Sequence, residues 1–478
     1  MTIEPVGAVA LLLGLLILFR GPVVGFYILI PSGLLGSCAV LFLTALGGAP
    51  VQPAHLMLGF VILAMFAQPG TTGEVWSALT FPREAFWLLL TVLWGTLGAI
   101  LFPRIFAGAV YVSAINQGGG EGSPLLVPLG PTTGNITQSV YFIADLVTFL
   151  VCYVFAKNRD NFNVLAQAYF IYCVLNIFFA LVDLATFWTN TSFLLDFMRN
   201  TTYALHDDTV IAGMKRIVGS FTEASSFGGV TLGTFGFTFR LWLGGVRPAL
   251  TLTIAMISLI LLVMCTATTA YVALPLVLAI LYMTSLWRLI RGPVPKTVMA
   301  FLIFAPLLFI LIVAAVMLIP AVGDQVWAIA DEMLFNKATS QSAEERGSWN
   351  KASIETFFAT FGLGGGIGAV RSSSFLLAVF GNLGIIGCLT YGLFLFLILF
   401  RRSRKPLDWY VHEVRAAART TCLANIITCS ISASLIDLGL SFFMLAGLAC
   451  AASDTSNVPA KQQEQEEIPN LLRAGLRS

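Results

Sequence analysis

Apolar runs follow one another from Val6 to Cys450 with only brief interruptions, and no other feature restricts the fold so strongly. A water-soluble domain carries roughly 25% charged residues. This chain carries 10%, against 58% hydrophobic residues. That balance predicts a polytopic, all-α integral membrane protein, although 478 residues would allow two or three soluble domains. Residues 1–452 read as one membrane domain. Residues 453–478 read as a polar tail, rich in Gln and Glu from Gln462 to Glu467 and expected to be disordered. The N-terminus begins with acidic Glu4 and lacks the basic region and small-residue cleavage site of a signal peptide, so its first apolar run is expected to remain as a helix.

Runs near the roughly 20 residues that cross a bilayer are Val6 to Phe19, Val24 to Leu46, His55 to Gln68, Ala85 to Leu101, Ser139 to Ala156 and Asn163 to Trp188. They continue with Phe227 to Leu243, Pro248 to Ala267, Tyr271 to Trp287, Val298 to Pro320 and Phe375 to Phe400. Thr420 to Ala452 reads either as one long helix or as a hairpin turning near Asp437. The expectation is about 12 transmembrane helices. Basic residues in short loops stay cytoplasmic, and Arg401, Arg402, Arg404, Lys405, Arg415 and Arg419 form the clearest such group. The long connections, about 102–138, 189–226 and 321–374, then lie outside, which in a bacterium means the periplasm. This reading places the chain in a bacterial inner membrane as a multi-pass protein.

The polar chemistry gathers in these outer connections. Lys215 and Arg216 precede Gly219, Glu223, Ser225 and Ser226, and the next apolar helix begins near Phe227 with Ser225 or Ser226 suited to its N-cap. Ser342 and Glu345 form a capping-box pattern, and Arg346, Asn350, Ser353 and Phe357 then share one helix face, flanked by Trp349. A glycine-rich stretch to Gly368 leads to Arg371 and three serines at the start of another apolar helix. Helix N-termini carry free amide donors, and arginine forks bind phosphate oxygens bidentately, so the pattern suits a pyrophosphate. The same arginines also suit interfacial anchors or ion pairs with Asp207, Asp208, Glu344 and Glu345. Glu223 suits both a general base, taking a proton from an attacking hydroxyl, and an ordinary capping carboxylate. His206, beside Asp207 and Asp208, is the competing base.

The stretch from Lys215 to Gly228 resembles the Arg-x-x-Gly-x-Phe-x-Glu/Asn-x-Ser/Asn signature of the O-antigen ligase and polymerase superfamily. Glu345 to Trp349, the turn from Phe361 to Arg371, and Asn382 to Gly387 resemble its second loop. Pro131 to Gln138 resembles a pattern of exopolysaccharide members, and puts Asn135 and Gln138 beside Lys215, Ser225, Trp349 and Asn350 as substrate-binding candidates. The resemblance implies a GT-C-type, metal-independent, inverting glycosyltransferase. Its donor would be an undecaprenyl-pyrophosphate-linked oligosaccharide, with Arg216, Arg346 and Arg371 on the leaving pyrophosphate. Ser372 to Ser374 stand where ligases of the superfamily have a histidine, which favours polymerisation of repeat units into a cell-surface polysaccharide over transfer to lipid A core.

That reading implies the bilayer, a chain-length regulator and a flippase as partners, and no nucleic acid. The main rival from another class is a lipid-linked glycan transporter or flippase, although the apolar runs hold few charges, mainly Asp145, Asp183 and Asp437. No cofactor and no metal are expected. The eight cysteines lie inside apolar runs without ligand spacing, and Gly364, Gly366 and Gly368 follow a helix rather than the strand a dinucleotide loop needs.

Overall fold

The computed structural model describes residues 2–43, 49–113, 126–201, 210–211, 214–331, 341–403 and 407–451. These form a mostly helical domain. In chain order the helices are α1 (Pro5–Arg20), α2 (Pro22–Ser32), α3 (Pro53–Phe66), α4 (Thr71–Ala78), α5 (Glu84–Ile105), α6 (Thr133–Phe155), α7 (Arg159–Trp188) and α8 (Ala224–Leu243). They continue with α9 (Pro248–Met264), α10 (Thr268–Arg291), α11 (Lys296–Leu318), α12 (Pro320–Ala330), α13 (Gln341–Ala359), α14 (Phe375–Phe400), α15 (Trp409–Ser432) and α16 (Leu440–Cys450). Short antiparallel strands close the connections: Thr2–Ile3, Leu41–Leu43 and Ala49–Val51 pair in that order, Tyr111–Ser113 pairs with Leu126–Pro128, and Val210–Ile211 with Met214–Lys215.

Helix starts follow local chemistry. Proline opens α1, α2, α3 and α9, where its missing N–H costs nothing. The Asn158 side chain accepts from the Asp160 and Asn161 amides at the head of α7, and Asp408 does the same for Tyr410 and Val411 at the head of α15. Helix α8 is the central element. Phe227, Phe235 and Phe237 on it are fully buried, and so are Thr231, Thr234 and Thr238. Each of these threonines finds a hydrogen bond: Thr231 Oγ accepts from Asn176, while Thr234 and Thr238 donate to backbone carbonyls. Glycines at 228, 233 and 236 let α10 and α15 approach α8 closely.

The expectation of about 12 spans fails. Among the described residues six helices are long and apolar enough to cross a membrane: α5, α6, α7, α10, α11 and α14. A seventh is gained only if α3 and α4, which meet at 112°, count as one bent span. The apolar run from Val24 to Leu46 ends as a helix at Ser32 and continues into a strand, leaving 11 helical residues. Apolar helices of 10–14 residues belong more often to a buried core than to a span. The 11 residues of α16 fit that description, as Leu440 and every residue from Phe442 to Cys450 are buried. The run from Thr420 to Ala452 breaks between Ser432 and Leu440, where Gly439 takes φ +84°.

Buried ion pairs mark the interior as well. Asp183 (1% exposed side chain) pairs with Arg199 and Lys215, and Glu413 (2%) with Arg240 and Arg288. A bundle of 12 spans in a bacterial inner membrane is therefore not the architecture of this chain, and that localisation goes with it.

Candidate functional site

The loop before α8 is held by a buried carboxylate. Asp183, near the end of α7, accepts Arg199 Nη2 (2.7 Å) and Lys215 Nζ (2.6 Å) on one oxygen and the amides of Val218 (2.9 Å) and Gly219 (3.1 Å) on the other. Gly219 sits at φ +57°, a left-handed backbone that turns the chain toward α8. Lys215 also lies 5.0 Å from the Phe187 ring centroid and is 5% exposed. It is a fastener of the loop, not a free cation. Arg216, its neighbour, is half-buried and makes no ion pair with any described acidic residue. Its Nε is buried without a hydrogen-bond partner.

The N-cap position of α8 is occupied by Glu223, not by Ser225 or Ser226, yet the Glu223 side chain makes no capping hydrogen bond. Instead its Oε1 accepts from Ser225 Oγ at 2.5 Å. The carboxylate is thereby turned away from the helix amides, which remain open at the head of a 20-residue helix.

The second half of the site comes from α13 and the turn after it. Asn350 Oδ1 accepts from Ser372 Oγ (2.9 Å) and from the Ser373 amide (2.8 Å), tying α13 to the start of α14. The Arg371 guanidinium carbon lies 3.9 Å from the Trp349 ring centroid, a stacked cation. The turn itself is fixed by close backbone approach: a Cβ on Gly368 (φ +78°) would stand 2.2 Å from the Gly134 carbonyl oxygen. Asn382 Nδ2 donates to the Val370 carbonyl, and its Oδ1 accepts from the Val370 amide. The Ser342 side chain lies outside what is described, so the capping box is not placed, and His206, Asp207 and Asp208 are likewise outside the described residues.

Electrostatics ties these pieces together. Burial lowers the Arg216 guanidinium below its ordinary value; nearby Cys265 and the Glu223 carboxylate oppose that, and Arg346 reinforces it. Arg371 is lowered by burial too, with Glu223 and Glu345 opposing and Arg346 adding to the shift. Arg216, Glu223, Arg346 and Arg371 thus lie near enough for their charges to act on one another. Among the described residues none of the three arginines has a carboxylate within ion-pair distance. Trp349 stands against Arg371 and Ser225 against Glu223, whereas Asn350 reaches only Ser372 and Ser373 among the described residues. Asn135 is tied elsewhere. Its Oδ1 accepts from the Thr132 amide (2.7 Å) and its Nδ2 donates to the Ile367 carbonyl (2.6 Å), so it fastens α6 to the glycine-rich turn. Gln138, one turn further along α6, is buried with Oε1 unpartnered.

Two fasteners escaped the sequence reading of the site, Asp183 and Asn382. Both carried a signal, since a lone acid or amide inside an apolar helix requires a partner. Among the described residues no group of three His, Cys, Asp or Glu side chains is arranged to hold a metal ion.

No family model, no curated protein and no solved structure matches the chain. The resemblance to the O-antigen ligase and polymerase superfamily thus rests on short motifs alone, and the six or seven candidate spans are far fewer than that superfamily's architecture requires. Assignment to it is withdrawn. Polymerisation of repeat units at a periplasmic face, which needs that architecture, is withdrawn as well, and so are the ligase and flippase alternatives built on the same topology.

Proposed function

We propose that the cluster of Arg216, Glu223, Arg346 and Arg371 binds a pyrophosphate ester and supports metal-independent transfer of its esterified group to a hydroxyl acceptor. The observation that carries this is the set of three arginines around one carboxylate, unpaired and partly withdrawn from water, with a buried guanidinium Nε that lacks an acceptor. Mutually repelling, half-buried cations are unfavourable unless an anion joins them. A planar fork on each arginine, together with the open amides of α8, supplies donors to several phosphate oxygens at once.

Glu223 stands where a base is needed. Its carboxylate takes the proton of the attacking hydroxyl as the new C–O bond forms. The bond from carbon to the bridging phosphate oxygen breaks, and the pyrophosphate departs with the electron pair, stabilised by Arg216, Arg346 and Arg371. A lipid-linked glycosyl pyrophosphate is the donor that best combines this head with the apolar helices around it, and direct displacement would invert its anomeric centre.

Calorimetric titration of the purified full chain with inorganic pyrophosphate in excess EDTA tests the reading. Binding is expected without divalent metal, weakened at least tenfold in Arg216→Lys, Arg346→Lys and Arg371→Lys, because lysine keeps the charge but not the fork. Wild-type affinity in all three variants would overturn it.

A further inference from the structure

A cavity lies between α7, α8, α9 and α15 and is separate from the arginine cluster. Its volume is about 360 Å³, within the range of small-molecule sites. Phe170 and Ile171 of α7 and Phe237 and Leu241 of α8 make its walls, all of them apolar. Its mouth is polar. There Gln167, which accepts from the Tyr27 hydroxyl at 2.7 Å, meets Arg247 and Tyr410.

The two cations near Tyr410 differ. Arg159 stacks 5.5 Å from the Tyr410 ring centroid and is neutralised by Asp408 at 2.8 Å. Arg247 is exposed, makes no ion pair with any described carboxylate, and lies near enough to the Tyr410 phenol for its charge to act there. It also occupies the N-cap of α9, whose first-turn amides its side chain does not satisfy. A hydrocarbon-lined groove thus opens under one uncompensated cation and a helix N-terminus.

We propose that this groove binds an acyl-chain lipid with an anionic phosphate headgroup, the chain against Phe170 and Ile171 and the phosphate on Arg247. Charge complementarity selects the head, since Asp408 already occupies Arg159 and leaves Arg247 to the ligand. The continuous apolar wall selects a chain over a free phosphate ion.

Native mass spectrometry of the delipidated full chain in neutral detergent tests this with phosphatidylglycerol and phosphatidylcholine of equal chain length. The phosphatidylglycerol should be retained at least tenfold better. Arg247 has φ +43°, so Arg247→Gly removes the side chain at a backbone conformation glycine accepts. It should erase that preference while leaving phosphatidylcholine retention unchanged, and Arg247→Lys should keep the preference. Ile171→Trp, at a position 41% exposed, should crowd the groove and lower retention of both lipids. Equal retention of the two lipids by the wild-type chain would overturn the proposal, as would an Arg247→Gly variant indistinguishable from it. Displacement of phosphatidylglycerol by an equal concentration of inorganic phosphate would overturn it in favour of a free-ion site. If Arg247→Gly does not fold, Ile171→Trp decides: unchanged retention of both lipids there removes the chain from the groove.

Discussion

Two carboxylates in this chain stand among arginines, and they are arranged in opposite ways. Glu413 on α15 is saturated: Arg240 pairs with one oxygen, Arg288 with the other at 3.0 Å, and His412 Nδ1 lies at 3.2 Å. Burial pushes its carboxyl up, but the His412 hydrogen bond and the two guanidinium charges outweigh this and bring it down to about 2. Glu223 lies near two arginines as well, Arg216 and Arg371, and forms an ion pair with neither. At Glu413 opposite charges close on each other; at Glu223 they do not. The first arrangement is a fastening of α8, α10 and α15. The second leaves its arginines without an ion pair among the described residues.

The sharpest way to break this contrast is to remove each carboxylate in turn. Glu413→Gln leaves Arg240 buried and uncompensated, and should cost about 3–5 kcal/mol of stability in denaturant unfolding. Glu223→Gln should change it by less than about 1 kcal/mol, since no ion pair is lost. Equal losses would erase the distinction. The pH dependence follows from the same group. A depressed carboxylate contributes stability that is complete above its unfolded value and is lost as pH falls through the folded one. Stability should therefore drop between about 4.5 and about 2, and Glu413→Gln should flatten that limb of a thermal melt.

A smaller effect sharpens the comparison from the arginine side. Arg216→Lys should weaken pyrophosphate binding at least tenfold by titration, while Arg240→Lys, in the closed cluster, should leave it unchanged. Smaller again, Glu223→Gln should tighten pyrophosphate binding about fivefold, because a like charge near the anion opposes it by about 1 kcal/mol in water-like surroundings. Weaker binding in Glu223→Gln would mean that the carboxylate orders the arginines instead of standing as a base. Least of all, Asn350→Ala should loosen the contact with Ser372 and Ser373 and reduce affinity about threefold, a loss within the range for one hydrogen bond.

Arg216 and Arg371 stand out in the sequence because each precedes a helix start beside glycine or serine, and Arg346 because it lies on a polar helix between apolar ones. Lys215 has a partner that the sequence conceals: Asp183 lies on another helix, and only the fold brings the two within 2.6 Å. The bond from Asn135 to the Ile367 carbonyl in the glycine-rich turn is concealed in the same way. The span count failed because apolarity serves two purposes. The residues of α8 and α16 are apolar to fill an interior, and hydropathy along the chain does not distinguish that from facing hydrocarbon.

The stack of Arg371 on Trp349 gives the cluster an optical handle. An indole ring in contact with a cation emits according to where that charge sits, so an anion that draws Arg371 across or off the ring changes the emission without any added label. The chain has nine tryptophans, and subtracting the spectrum of Trp349→Phe isolates this one. Binding of an anion beside Arg371 can thus be followed in real time by light, on the intact protein.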